Sequence, residues 1–406
     1  MAFIFMQSSI VLADDEMDDE TIDTIEDVLE ASSNVDQFPN LQARACLVLD
    51  RESKQVLAEK DAYTKRPMAS TTKIMTCTIV LEQANLSDVV EISKKAGGTG
   101  GSRLGLKAGD KITVRDLLYG LMLRSGNDTA VALAEHVGGS VEGFANLMNE
   151  KAKELGLTNT HFVTPHGLDQ QEHYTTAYEL ALLTDYALKN EKFANIVATK
   201  TCEIHINNQP RQISNTNELL GNLNGVNGVK TGFTNGAGRC LVTSITRNGH
   251  QIVCVVLGAD TKKIRTTDSV KLIEYSFSKY EYMNVKEKIQ EKFNTWLQEE
   301  APNIGFNKAK ETQIEYEVQS SNITWVPILK EEQKDLEVRI DYQKNLETPI
   351  SKGHVIGKIE VVLKDKVLFQ TDILLKQNIT KKQIGDYLEQ ICSNYHQYLL
   401  QSMSGK

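Results

Sequence analysis

The chain has 406 residues, with 45 Lys and Arg against 54 Asp and Glu and a formal net charge of -9. The imbalance is local: residues 1–43 hold eleven acidic and no basic side chains, so the rest of the chain carries 45 basic against 43 acidic groups. A body this close to neutral excludes a phosphate-tracking nucleic-acid binder, and the length implies two domains with flanking segments.

Residues 1–13 form an apolar run ending Val11-Leu12-Ala13, which reads as the end of a secretory signal lacking its basic start; we favour export over a short buried segment. Residues 14–38 read as a disordered leader, acidic and aromatic-free as far as Asp36. Six cysteines (Cys46, Cys77, Cys202, Cys240, Cys254, Cys392) lie far apart without C-x-x-C spacing, which excludes zinc and thioredoxin-type sites. Disulfides are permitted in an exported chain, but nothing selects a pairing.

Ala45-Cys46-Leu47-Val48-Leu49 and Gln55-Val56-Leu57-Ala58 flank a polar turn and predict a β-hairpin. A helix is expected to start in Pro67-Met68-Ala69-Ser70-Thr71-Thr72-Lys73 and run toward Ala84. The loop Gly97-Gly98-Thr99-Gly100-Gly101-Ser102 lacks the G-K-[ST] ending of a phosphate loop, so it reads as a flexible connection. From Ile112 to about Lys200 the pattern is mainly helical, clearest over 113–123 and 129–137, with Ser125-Gly126-Asn127 between those two helices.

Strands follow: Gly228-Val229-Lys230-Thr231-Gly232-Phe233, then 240–245 and 251–257 joined by the hairpin dipeptide Asn248-Gly249, and a helix from about Arg265 to Tyr280. Strand pair, helices, three strands and helix give an α/β (α+β) class: one antiparallel sheet flanked by helices plus a helical subdomain, over residues 39–280. Alternating strands after 281, such as 313–318 and 358–363, predict a small all-β domain over 281–376. Residues 377–406 predict a helix opened by the capping box Thr380-Lys381-Lys382-Gln383, with Ile384, Tyr387, Leu388, Ile391, Tyr395, Tyr398 and Leu399 on one face. That helix is too polar to span a membrane; its apolar face suits a membrane surface or packing on the β domain or a partner.

Ser70 and Lys73 are three residues apart on one helical face, so a hydroxyl and an amine can meet. Serine is a weak nucleophile unless a neighbour removes its proton, and Lys73 can do so when burial and a second cation disfavour its ammonium form. Alone, S-x-x-K is weak: Ser276-Phe277-Ser278-Lys279 also fits. The specific signal is the order: S-x-x-K at a helix start, Ser125-Gly126-Asn127 between helices, and Lys230-Thr231-Gly232 on a strand.

With these motifs the chain resembles the serine-type D-alanyl-D-alanine carboxypeptidases, the low-molecular-mass penicillin-binding proteins. Arg66–Thr76, Leu123–Asp128, His166-Gly167-Leu168-Asp169, Gly228–Thr234 and, in the β domain, Gly353-His354-Val355-Ile356-Gly357 all read like that family, over about residues 40–376. Gly126 departs from it, since alanine or a similar small residue is commoner there. The resemblance implies a penicillin-binding/β-lactamase-like transpeptidase fold and action on D-Ala-D-Ala ends of peptidoglycan stem peptides, outside the cytoplasm. It also implies β-lactams as covalent inhibitors, and neither metal nor cofactor.

It further implies a role for each residue. Ser70 attacks the scissile carbonyl and Lys73 takes its proton; Ser125 relays a proton to the leaving amine; Asn127 holds Lys73 and the substrate amide. Lys230 is the second cation and favours the substrate carboxylate. The amides of Ser70 and Phe233 form the oxyanion hole beside Gly232. Thr231 and Thr234 supply hydroxyls for the terminal carboxylate, and Arg265 matches an arginine the family places at the start of the closing helix. His166 is structural.

Three rivals differ from this reading. A β-lactamase needs a deacylation base in E-x-x-L-N, and Glu154-Leu155-Gly156-Leu157-Thr158 fails at its last position. A D,D-endopeptidase of peptidoglycan cross-links would use the same residues. A non-catalytic wall-binding protein would not require them all.

Overall fold

The computed structural model describes residues 37–320 and 323–404, so the expected signal remnant and nearly all of the leader lie outside the described residues. Two compact units divide at Tyr280 and Glu281.

In the first unit the hairpin β1 (Ala45–Asp50) and β2 (Val56–Lys60) joins β3 (Val226–Thr234), β4 (Gly238–Arg247) and β5 (His250–Ala259) in the order β2-β1-β5-β4-β3. All four pairings are antiparallel. Both faces are buried, which explains the near-continuous apolar runs. Along β1, Ala45, Leu47 and Leu49 enter one core while Cys46 and Val48 enter the other, as the two-residue strand period requires.

Beyond the first face lie the helices α1 (Lys73–Gln83), α2 (Val114–Leu123), α3 (Asn127–Gly138), α4 (Val141–Glu154) and α5 (Ala177–Ala187). α1 runs through their middle and is buried from Lys73 to Val80. The opposite face is covered by α6 (Lys262–Lys279), through Val270, Leu272 and Ile273. A four-stranded sheet (Val89–Glu91, Lys111–Thr113, Thr201–Ile206, Gln209–Ser214) sits beside the helices. Its first two strands have three residues each, too short to give a readable alternation.

The second unit holds a four-stranded sheet ordered Tyr316–Val318, Lys366–Leu375, Val355–Leu363, Leu336–Tyr342. The all-β expectation for 281–376 overlooks one helix, α7 (Val285–Glu299). Its Val285, Ile289, Phe293 and Trp296 recur at helical spacing and are buried with Ile328, Ile359 and Ile373 of the β layer. The expected capping box does not form. Thr380 gives its amide and hydroxyl to Glu311, each at 2.8 Å, and α8 begins only at Ile384, with Asp386 accepting from the Gln383 amide at 2.8 Å. Asp386, three positions after Gln383, thus caps the helix in place of the predicted box. Among α8 residues Ile384, Leu388, Ile391, Tyr395 and Tyr398 are exposed. All six cysteines are free thiols.

Trp296 is 1% exposed and meets Tyr316 and Tyr342 edge-on at 5.3 and 5.4 Å. Trp296→Ala is therefore expected to destabilise the second unit by about 3–5 kcal/mol, read as a lowered denaturant midpoint at unchanged slope.

Candidate active site

Ser70 lies not in the α-helix itself but in a 3-10 turn, Ala69–Thr72, that runs directly into α1. In a 3-10 turn residues three apart eclipse one another, so the serine and lysine side chains stand closer than on an α-helix. Lys73 Nζ accordingly donates to Ser70 Oγ at 2.7 Å. Lys73 is fully buried and also donates to Asn127 Oδ1 at 2.7 Å and to the His166 carbonyl at 3.0 Å. One ammonium thus gathers three segments that are up to 96 residues apart in sequence.

Asn127 reaches this point through the sharp link between α2 and α3, in which Ser125 is buried. Ser125 has φ 57°, and Asn127 opens α3. The next residue, Asp128, is wholly buried and accepts from the amides of Leu104, Gly105 and Leu106 at 2.7–2.9 Å. Asn127 itself donates from Nδ2 to the Gly100 carbonyl, and its amide bonds the Ser102 carbonyl, both at 2.8 Å. The glycine-rich loop read from sequence as a flexible connection is therefore held onto the site by the Ser-Gly-Asn-Asp segment. No local pattern announces this, because the partners are main-chain carbonyls. Gly126 suits its place, since a Cβ there would fall 2.7 Å from Thr129 Oγ1.

Lys230, Thr231, Gly232, Phe233 and Thr234 lie on β3, the edge strand, which leaves main-chain groups on its outer side available to an extended peptide. Gly232 passes so close to the Ser70 turn that a Cβ would lie 2.9 Å from the Ser70 amide and 3.1 Å from that of Thr71. Lys230 is 1% exposed and donates to the Thr231 carbonyl at 2.8 Å.

Three residues expected to read a terminal carboxylate are engaged elsewhere. Thr231 is buried, its hydroxyl bonded to that of Thr216 at 2.8 Å. Thr234 donates its hydroxyl proton to Asp169 at 2.6 Å and accepts from the Ala237 amide, fixing the turn after β3. Arg265 is in the first turn of α6, as expected, but it is completely buried and paired with Glu218, which also accepts from the Thr266 hydroxyl. The guanidinium charge and that hydroxyl hold the Glu218 carboxyl below its ordinary value against the opposing effect of burial. Arg265 is thus fixed at the start of α6 by an internal ion pair with Glu218. Motif spacing could not show Glu218, which lies 47 residues from its partner.

His166 contributes its carbonyl to Lys73, while its Nδ1 accepts from the Leu168 amide at 3.2 Å. Burial, and then the positive charge of Lys73, push its imidazole down to about 3, so the ring stays neutral. Glu154, the nearest sequence candidate for a deacylation base, is 61% exposed and paired with Lys151 at 2.7 Å.

Residues 32–261 match the sequence profile described as D-alanyl-D-alanine carboxypeptidase, and residues 300–381 match the penicillin-binding protein 5 C-terminal domain. The chain is 31% identical to the D-alanyl-D-alanine carboxypeptidase DacF of Bacillus subtilis, across 88% of this chain and 91% of that protein. It is 35% identical to DacC of Escherichia coli, across 91% and 92%. Among solved structures, penicillin binding protein 5 from Haemophilus influenzae superposes with a TM-score of 0.70 at 27% identity, covering 85% of this chain and 99% of the other. The Streptomyces K15 DD-transpeptidase superposes with 0.57 at 35% identity, covering 60% and 99%.

The close approach of Gly232 gives a direct test. Gly232→Ala is expected to slow covalent labelling by a fluorescent penicillin by about 10²-fold, because displacing the Ser70 amide by a fraction of an ångström misaligns the attack. Its melting temperature should stay near that of the parent chain.

Proposed function

The chain belongs to the D-alanyl-D-alanine carboxypeptidase family and is a hydrolase, and on that premise we propose that Ser70 is its nucleophile, forming an acyl-enzyme with the stem peptides of peptidoglycan. The observation that carries this reading is the set of three hydrogen bonds around Lys73 Nζ, 2.7 Å from Ser70 Oγ and held from two other sides: as a neutral amine it donates to Asn127 and the His166 carbonyl and turns its lone pair to the Ser70 hydroxyl. Burial penalises the charged form, so the amine can take the serine proton as attack proceeds.

In this reading the penultimate D-alanine carbonyl lies against β3, its oxygen between the amides of Ser70 and Phe233. Gly232 leaves the space that such a pose needs. Asn127 holds Lys73 with its carbonyl oxygen. Ser125 passes a proton to the departing D-alanine amine, and water then releases the shortened peptide. Lys230 is the cation of the strand that we assign to the terminal carboxylate. Thr231, Thr234 and Arg265 keep the strand and its flanks in place. The same serine would be acylated by β-lactams, whose strained amide mimics the scissile bond. Glu154 is turned to solvent and ion-paired, which supports slow release of that adduct.

Peptidoglycan stem peptides lie outside the cytoplasmic membrane, and we place the enzyme there. No helix among the described residues is long and apolar enough to cross a membrane. The exposed apolar residues of α8 support contact with a membrane surface instead.

Incubation with benzylpenicillin followed by mass spectrometry should add one penicilloyl mass to the peptide containing Ser70 and none in Ser70→Ala; a wild-type chain without the adduct overturns the reading. Ser125→Ala is expected to lower kcat for D-alanine release from a diacetyl-L-Lys-D-Ala-D-Ala peptide by about 10²–10⁴-fold, the span of a lost proton-transfer group.

A further inference from the structure

His173 is outside all three motifs, yet its ring is 3% exposed and lies beside the nucleophile turn. Its Nδ1 accepts main-chain hydrogen bonds from Val163 at 2.9 Å and Thr164 at 3.4 Å. A nitrogen that accepts cannot carry the proton, so in the neutral ring the proton is on Nε2. Nε2 is 2.8 Å from Thr72 Oγ1. Thr72 Oγ1 in turn donates its only proton to the Ala69 carbonyl at 2.8 Å. Read from either end, the chain of bonds has one direction: His173 Nε2–H to Thr72 hydroxyl to Ala69 carbonyl.

Both ends of this chain matter. Ala69 has φ 47°, a left-handed conformation rare for a residue with a side chain, and it immediately precedes Ser70. Gly167 closes over it, since a Cβ on Gly167 would collide with the Ala69 carbonyl oxygen. At the other end, Val163 and Thr164 begin the segment whose Pro165 carbonyl accepts from Thr76 at 2.6 Å and whose His166 carbonyl accepts from Lys73. One imidazole therefore ties the turn holding the nucleophile to the segment holding its base.

We propose that His173 is a positioning residue for the Ser70–Lys73 pair: in its Nε2–H tautomer it holds the strained Ala69 turn through Thr72 and the 163–167 segment through Nδ1, and protonation breaks the Nδ1 tie and so uncouples the two. The proposal rests on Ser70 as nucleophile.

Protonation would set an Nδ1–H against two amide N–H groups that point at it. Burial, and then the neighbouring charge of His161, lower this imidazole from its ordinary value to about 4, while Asp169 acts in the opposite direction. His166 also interacts with this ring and with Lys73. The sign follows: the fold favours the neutral ring, so its stabilising contribution is complete above about 6.5 and is lost as pH falls toward 4.

The test is the second-order rate of acylation by a fluorescent penicillin, with the full chain, between about pH 3.5 and 8. His173→Ala is expected to be slower by about tenfold or more at neutral pH, Thr72→Val to match it, and the double variant to be no slower than the slower single one. His173→Gln, whose amide keeps a donor toward Thr72, should recover most of the rate and lose the acidic limb that the parent shows near pH 4. Circular dichroism and thermal melting establish that each variant is folded. If His173→Ala does not fold, Thr72→Val and His173→Gln decide the question. A folded Thr72→Val acylating within about threefold of the parent, strictly multiplicative losses in the double variant, or an unchanged acidic limb in His173→Gln overturns the proposal. A parent chain that never labels Ser70 would instead overturn the nucleophile assignment, a separate result.

Discussion

The first unit depends on one buried ammonium. Lys73 is fully enclosed, and enclosing a cation is costly unless hydrogen-bond acceptors replace its lost water. Ser70, Asn127 and the His166 carbonyl provide such acceptors, and each comes from a different part of the chain. Satisfying Lys73 therefore requires the 3-10 turn, the link between α2 and α3, and the 163–167 segment to meet at one point. The arrangement that lowers the cost of burial also sets Lys73 Nζ against Ser70 Oγ.

Close backbone approach is the second constraint, and glycine meets it twice. Gly232 brings the edge strand against the amides of Ser70 and Thr71, and Gly167 packs on the Ala69 carbonyl from the other side. The nucleophile turn is thus held between two backbones with no side chain in between. A surface so tightly fixed can aim amide donors at a substrate oxygen without first reorganising, which is where such sites gain most of their rate.

The polar residues expected at the substrate end also carry internal partners. Two threonines and an arginine near a Lys-Thr-Gly strand look like donors for a carboxylate. The fold gives each an internal partner: Thr216, Asp169 and Glu218. A buried arginine beside a substrate strand would be an uncompensated charge, and Glu218 supplies the compensation. Lys230 is the buried cation of that strand, bonded to the Thr231 carbonyl.

The sequence by itself determined the chemistry and the order of elements. Three short motifs fix which residue types come together, and their spacing is local: Ser70 and Lys73 within one turn, Ser125 and Asn127 across one link, Lys230 and Gly232 on one strand. The sheet was legible because apolar runs and Asn248-Gly249 leave few other solutions. What only the tertiary structure decided involves partners without local pattern. The Gly100 and Ser102 carbonyls on Asn127, the His173–Thr72–Ala69 chain and Glu218 on Arg265 all join segments far apart in sequence or use main-chain atoms that every residue carries. Local periodicity reports how a segment folds; it does not report which distant group will satisfy a buried polar atom.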